Sequence, residues 1–257
     1  MLKGRTAVIT GGCSGIGRGT AKVLIKEGAT VYALDLKPPK EEDGVPAKYI
    51  ECNVTSEESV IAALKQIPGD IDILVNSAGI AYAARIVSKK GAAHKLNAFK
   101  KVLEVNTVGT FNVSRLVAER MVKQEGKPFV NGPAKTAAKD KERGVIVNIA
   151  SIAAFDGEGG QVAYSASKGA IVGMTLPMAR DLGRHGIRVV TVAPGLVHTP
   201  LMQVPDEIAE DFASNVVFPK RLAQPEEMGQ FILGIVQSSY LNAVTVRVDG
   251  GIRLSNL

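Results

Sequence analysis

The chain contains no tryptophan, and aromatic residues make up 5% of its 257 positions. Cysteine occurs twice, as Cys13 and Cys52. That excludes a disulfide framework and suits a reducing compartment. The three histidines, His94, His185 and His198, have no ligand spacing with one another or with cysteine, which argues against a zinc site and leaves no metal implied. No apolar run reaches the roughly 18 residues that a membrane span needs. The N-terminus, Met1-Leu2-Lys3-Gly4-Arg5, enters a strand pattern almost at once, so the sequence as given leaves no room for a signal or transit peptide. What is present is 46% hydrophobic and 22% charged, the balance of a globular chain with a sizeable core. Glycine is frequent, at 27, and predicts tight turns and close backbone packing. The net charge of +6 favours anionic ligands without identifying one.

The stretch that organises the rest is Tyr164-Ser165-Ala166-Ser167-Lys168. A tyrosine and a lysine at i and i+4 share one helical face. A phenol has a pKa of about 10 and is a poor base near neutrality. A cation held close favours the phenolate, so the pair is a candidate proton-transfer unit for alcohol and carbonyl chemistry. On an exposed helix the same spacing is only a solvated face, and the remaining chain decides between the two.

Thr6 to Thr10 reads as a buried strand, followed by Gly11-Gly12-Cys13-Ser14-Gly15-Ile16-Gly17 and an amphipathic helix to about Glu27. Strand, glycine turn and helix together aim backbone N–H groups and a helix N-terminus at a phosphate. A second strand, Thr30 to Leu34, ends in Asp35, 18 residues past Gly17. An acid there accepts hydrogen bonds from ribose hydroxyls and repels a 2′-phosphate, which argues for NAD over NADP, with Lys37 nearby as the opposing charge. Lys37 to Pro46 is expected as a loop. Tyr49 to Cys52 is a third strand, and a helix opens at Ser56 and reaches about Ile67. Ile71 to Val75 is a fourth strand, followed by the small residues Asn76-Ser77-Ala78-Gly79, where a flat ligand can lie against the backbone.

Residues 80–97 are a polar excursion. A helix follows from about Ala98 to Met121, with Asn106 in an apolar pattern, either capping a kink or holding water at a site. Lys123 to Arg143 carries six bases against three acids and reads as a solvated loop, with a phosphate-rich ligand or RNA as the sharper alternative. Gly144 to Ile149 is a fifth strand, with Ser151 just past its end. Gly157, Gly159 and Gly160 make a flexible loop before the helix that begins at Tyr164 and runs to about Leu182. Ile187 to Val192 is a sixth strand, running into Ala193-Pro194-Gly195 and then Val197-His198-Thr199, with Thr199 a candidate partner for a ligand amide. Residues 201–222 read as a lid or substrate loop, Pro225 opens another helix, and Ala243 to Val248 is the last strand. The alternation predicts one α/β domain over residues 1–257, a doubly wound parallel sheet of about seven strands flanked by helices.

These pieces, Thr10-Gly11-x3-Gly15-Ile16-Gly17, Asn76-x-Ala78-Gly79, Asn106, Ser151, Tyr164-x3-Lys168 and Pro194-Gly195, match in order and spacing. The chain resembles the short-chain dehydrogenase/reductase family, whose fold is Rossmann-like. Gly109-Thr110-Phe111-Asn112-Val113, the run from Tyr164 to Leu176 and Ala179-Arg180-Asp181-Leu182 are similar to a subgroup acting on 3-hydroxyacyl-CoA thioesters and 17β-hydroxysteroids. Asn53 departs from the family, which usually has an aspartate beside the adenine, and the basic segment before Arg143 is longer.

The resemblance implies an NAD-dependent oxidation of a secondary alcohol. Ser151 and Tyr164 hold the alcohol oxygen, Lys168 lowers the tyrosine pKa and binds the nicotinamide ribose, and Asn106 positions a relaying water. Gly11, Ser14, Ile16 and Gly17 cradle the pyrophosphate, Asp35 takes the ribose, and Asn53 with Val54 takes the adenine. Val197 with Thr199 takes the nicotinamide end, Ser77, Ala78, Gly79 and Pro194 are further cofactor contacts, and Gln161 is a candidate substrate contact. A 3-oxoacyl carrier-protein reductase or another alcohol dehydrogenase is the alternative enzyme. A scaffold subunit of an RNA-processing complex is the alternative of another class, and would bring nucleic acid in as a partner. The resemblance further implies a homotetramer and a mitochondrial location, whereas the bare N-terminus suits the cytoplasm.

Overall fold

The computed structural model describes residues 2–39, 44, 47–132, 141–202 and 206–253. Strands β1 (Thr6–Thr10), β2 (Thr30–Asp35), β3 (Lys48–Glu51) and β4 (Ile73–Asn76) alternate with helices α1 (Gly15–Lys26) and α2 (Glu57–Lys65). Helices α3 (Leu96–Leu103) and α4 (Gly109–Lys123) lead to the short strands β5 (Lys127–Pro128) and β6 (Lys141–Glu142). Then come β7 (Gly144–Ile149), α5 (Val162–Gly183), β8 (Ile187–Pro194), α6 (Asp206–Ser214), α7 (Pro225–Gln237) and β9 (Thr245–Val248).

Seven strands form one sheet in the order β3-β2-β1-β4-β7-β8-β9, and every neighbouring pair is parallel. The strand order reverses between β1 and β4. In open α/β sheets such a switch point, at the carboxyl ends of the strands, is where ligands bind.

The strands are apolar on both faces because helices cover both. Successive side chains point to opposite faces. Val8, Leu74 and Ile146 therefore pack with Val60 and Ala63 of α2 and Val113, Val117 and Met121 of α4. Ile9, Val75 and Val147 pack on the other face with Leu24 of α1 and Ile232 and Val236 of α7. Burying each such side chain stabilises the fold by roughly 1.5–3 kcal/mol. The helices open where capping chemistry allows. Ser56 Oγ accepts from the Ser59 N–H at 3.1 Å in front of α2, and Gln224 with Glu227 forms a capping box in front of α7.

Three expectations need correction. The long helix predicted from Ala98 to Met121 is interrupted: Glu104–Val108 is a π-helical turn joining α3 to α4. The helix of Tyr164 begins two residues earlier, at Val162, with Gln161 at the N-cap position but making no side-chain cap hydrogen bond. The segment from Lys123 to Arg143 is not simply a solvated loop. β5 and β6 pair antiparallel, and Glu142 is buried against Arg188 with Nε on Oε1 at 2.6 Å. Its bases Lys135 and Lys139, most of the loop expected over Lys37 to Pro46, and Pro205 of the expected lid lie outside the described residues.

Candidate active site

The first site element is the turn after β1. A Cβ built on Gly17 would lie 2.2 Å from the Gly11 carbonyl oxygen, so only glycine lets the start of α1 come this close to the turn. Ser14 is the exposed N-cap residue of α1, and its side chain makes no cap hydrogen bond. The partly buried Ile16 packs onto the core face of α1 and α7. At the end of β2, Asp35 Oδ2 accepts from the Cys13 N–H at 3.2 Å and Oδ1 from the Leu36 N–H at 2.8 Å. The carboxylate thus stands beside the glycine turn. Burial first and Asp35 second push the Cys13 thiol up to about 12, so it stays protonated and is no nucleophile at neutral pH.

The turn after β4 is drawn onto β1 by Thr10, whose hydroxyl accepts from the N–H groups of Ser77 and Ala78, each at 3.2 Å. The backbone of Gly11 packs directly on Ala78. Gly15 faces the Thr199 side chain, which brings the segment after β8 to the same glycine turn. Pro194 ends β8, and Val197 is buried and bridges to Ala223.

Asn53 stands in the turn that follows β3. Its Oδ1 already accepts from the Thr55 N–H at 3.1 Å and the Thr55 hydroxyl at 2.9 Å. It therefore offers a ligand its amide N–H₂ as donor rather than a free acceptor. Val54 is buried, and its carbonyl accepts from Asn112 Nδ2 at 3.0 Å, which holds this turn against α4.

The catalytic candidates meet at the same end of the sheet. Lys168 is buried on α5, with Nζ donating to the Ile149 carbonyl at 2.8 Å and lying 5.6 Å from the centre of the Tyr164 ring. Asn106 sits in the π-helical turn, a geometry that recurs at functional positions. Its Oδ1 accepts from the Ile80 N–H at 2.8 Å, and its Nδ2 donates to the Ile80 carbonyl and to Ser167 Oγ, each at 2.9 Å. A Cβ on Gly79 would lie 3.3 Å from Asn106 Oδ1 and 3.6 Å from Lys168 Nζ, so the two side chains border one small space. Ser151, extended at the end of β7, caps the 3₁₀ turn Ile152–Ala154 by accepting from the Ala153 N–H at 3.1 Å.

Burial governs the ionisation of the pair. It pushes the Tyr164 phenol above its ordinary value, and the Ser151 hydroxyl beside it pulls the other way. It pulls the Lys168 ammonium down to about 8. Desolvation penalises each charge alone, and the expected lowering of the tyrosine pKa by Lys168 is outweighed here by burial.

Gln161 is less available than expected: its Oε1 accepts from the Glu158 N–H at 3.2 Å, which turns it toward its own loop. Two residues that position the site escaped the sequence reading. Ser167 accepts from Asn106 and donates to the Tyr164 carbonyl at 2.7 Å, and its signal was its place three residues after Tyr164. Asn112 stood in the run Gly109 to Val113 that carries the resemblance, but its hold on the Val54 carbonyl gave no signal in the sequence.

The glycine turn packs the start of α1 closely on β1 and the turn after β4, with the acid at the end of β2 beside it. The partly buried Tyr164 and the buried Lys168 stand at the same end of the sheet. Together these define a dinucleotide-dependent alcohol–carbonyl oxidoreductase. The family model described as short chain dehydrogenase matches residues 5–208, and the chain belongs to that family. It is similar to a 3-hydroxyacyl-CoA dehydrogenase type-2 of Bos taurus, 47% identical over 98% of this chain and 97% of the relative. The crystal structure of 3-hydroxyacyl-CoA dehydrogenase type-2 from Mycobacterium avium superposes with a TM-score of 0.86, at 35% identity over 99% and 98% of the two chains. A 3-ketoacyl-(acyl-carrier-protein) reductase from Brucella melitensis complexed with NADH gives a TM-score of 0.81, at 28% identity over 98% and 99%.

Proposed function

We propose that the protein oxidises 3-hydroxyacyl-CoA thioesters to 3-oxoacyl-CoA with NAD⁺, and accepts 17β-hydroxysteroids at the same site. The observation that carries the chemistry is the buried Lys168 ammonium beside the Tyr164 ring. The substrate class is supported by the relative of 47% identity that bears this activity in its name. The preference for NAD is supported by Asp35 at the glycine turn and by the NADH held in the Brucella reductase.

The residues present fit the cofactor. The N–H groups of the turn from Gly11 to Gly17 and the N-terminus of α1 would hold the pyrophosphate, Asp35 the adenosine ribose, and Asn53 and Val54 the adenine. Lys168 would hold the nicotinamide ribose, with Ser77, Ala78, Gly79, Pro194, Val197 and Thr199 around the nicotinamide. Bound there, NAD⁺ supplies a hydride acceptor, and the rest is done by the chain. Ser151 Oγ and Tyr164 Oη hold the substrate oxygen. Tyr164 Oη, as phenolate, takes the hydroxyl proton while the C–O bond gains its carbonyl character. Lys168 holds the phenolate in being, and Asn106 fixes the Ile80 backbone at the wall of the site. A homotetramer and a mitochondrial location belong to this reading through the resemblance, and are checked by sedimentation and by cell fractionation.

The test is reduction of NAD⁺ and NADP⁺ with a 3-hydroxyacyl-CoA series beside a 17β-hydroxysteroid. Turnover of the acyl-CoA with NAD⁺, shifted toward NADP⁺ in Asp35→Ser, is expected. NAD⁺ binding without turnover of any of these alcohols would overturn the substrate, and an NADP⁺ preference in the unaltered protein would overturn the role of Asp35.

A further inference from the structure

Asp35 and Glu51 are partners in the register of β2 and β3, and the Cys52 N–H donates to the Asp35 carbonyl at 2.9 Å. The two strand ends therefore lie side by side. The turn Asn53-Val54-Thr55 stands one strand over from the acid that would hold the adenosine ribose, where a base on that ribose comes within reach. The turn is fixed from three sides. The Asn53 N–H donates to Ser59 Oγ at 2.9 Å, in the first turn of α2. The Val54 carbonyl accepts from Asn112 Nδ2 at 3.0 Å. The Val54 side chain packs on Gly109, where a built Cβ would lie 2.6 Å from Val54 Cγ2.

The exposed side chain of Asn53 is fixed as well, and in one sense only. Both the Thr55 N–H and the Thr55 hydroxyl point at Oδ1, at 3.1 and 2.9 Å. Turning the amide over would set its N–H₂ against the Thr55 N–H, donor against donor, so the backbone decides which atom is the oxygen. What remains for a ligand is Nδ2, which meets no acceptor among the described residues. An aspartate, usual in the family at this place, would keep the same hold on Thr55 and present its second oxygen. The substitution thus exchanges an acceptor for a donor at one fixed point.

We infer that Asn53 leaves the 6-amino group of the purine unread, so that the site takes a 6-oxo purine dinucleotide, nicotinamide hypoxanthine dinucleotide, at least as tightly as NAD⁺. This rests on the NAD reading above and adds which base that cofactor site selects. Adenine offers acceptors at its ring nitrogens and a donor at its 6-amino group. A carboxylate reads that donor, whereas the Asn53 amide can give a hydrogen bond only to the ring nitrogens. Hypoxanthine keeps ring acceptors and adds the 6-oxygen, a further acceptor for the same amide. The Val54 carbonyl, turned to Asn112, does not replace the lost acceptor. Selectivity between bases is a difference between two affinities, and removal of the single group that favours one of them abolishes it.

The test is calorimetric titration of NAD⁺ and nicotinamide hypoxanthine dinucleotide onto the unaltered protein and onto Asn53→Asp, which needs no turnover. The unaltered protein should bind the hypoxanthine dinucleotide with a Kd equal to or below that of NAD⁺. Asn53→Asp should move the ratio about tenfold in favour of NAD⁺, since a carboxylate accepts from the amino group and repels the 6-oxygen. A preference of tenfold or more for NAD⁺ in the unaltered protein would overturn the inference, and so would a ratio that Asn53→Asp leaves in place. If neither dinucleotide binds while NADP⁺ does, the NAD reading fails. The same comparison of NADP⁺ with its hypoxanthine analogue then decides Asn53 alone, with equal binding in its favour and a preference for the adenine form against it.

Discussion

Arg188 and Lys168 are buried to the same degree, each 5% exposed, and are held in opposite ways. Arg188, near the start of β8, has its Nε on Glu142 at 2.6 Å and its Nη1 on the carbonyls of Ile235, Ser238 and Leu241 at 2.9–3.0 Å. Its Nη2 reaches the Val236 carbonyl at 3.2 Å. Lys168, at the other end of the sheet, has one carbonyl at 2.8 Å and an aromatic ring. Among the described residues no carboxylate pairs with it. A buried cation without an anion is costly. Burial is therefore not what marks the functional residue; unfinished pairing is. Arg188 ties β6 and the end of α7 to the sheet, whereas Lys168 waits for an anion that forms beside it, the Tyr164 phenolate.

The comparison can be broken from either side. Tyr164→Phe removes the anion and should lower kcat by about 10²–10⁴ with unfolding unchanged. NAD⁺ reduction beside a urea titration reads both, and a variant keeping a tenth of its turnover would remove tyrosine from the proton transfer. Arg188→Met strands Glu142 and should destabilise the fold by roughly 3–5 kcal/mol, with turnover per folded molecule intact. Adding Glu142→Leu should restore much of that loss, and failure to do so would mean that the carbonyl contacts, not the ion pair, hold Arg188.

The smallest effect is in the pH dependence. Lys168 is drawn down from 10.5 to about 8 by burial. Between these values the unfolded chain holds a proton that the folded chain has released, so stability rises with pH across this window. Below about 8 both states are protonated and the burial penalty is constant. Relative to Lys168→Met, the unaltered protein should thus gain stability from about pH 8 to 10.5, by roughly 3 kcal/mol. A flat difference would contradict the burial of an unpaired charge.

The glycine turn, Asp35, and the pair Tyr164 and Lys168 were legible because their signals are local: a spacing, or a distance from a turn. Most of the seven strands were legible as short runs rich in apolar and β-branched residues, β3 and β9 with charged positions among them. The π-helical turn at Asn106 was not, because one extra residue per turn barely disturbs the apolar pattern from Val102 to Leu116. Nor was the pairing of Lys127 with Glu142, whose carboxylate meets Arg188 of β8, far along the chain. The hairpin of residues 86–94 was read as a polar excursion, since it is held by backbone bonds that carry no side-chain signature. Gln161 and Asn53 were correctly placed in the chain, but which of their atoms are already engaged is a matter of geometry alone.

The most direct test is Lys168→Met, measured for turnover and for unfolding by urea at pH 7. The account predicts a loss of kcat of about 10² or more, with stability unchanged or raised, because an unpaired buried charge has been replaced by an apolar side chain of similar size. A variant that unfolds several kcal/mol earlier while keeping its turnover would make Lys168 a second Arg188, and would contradict it.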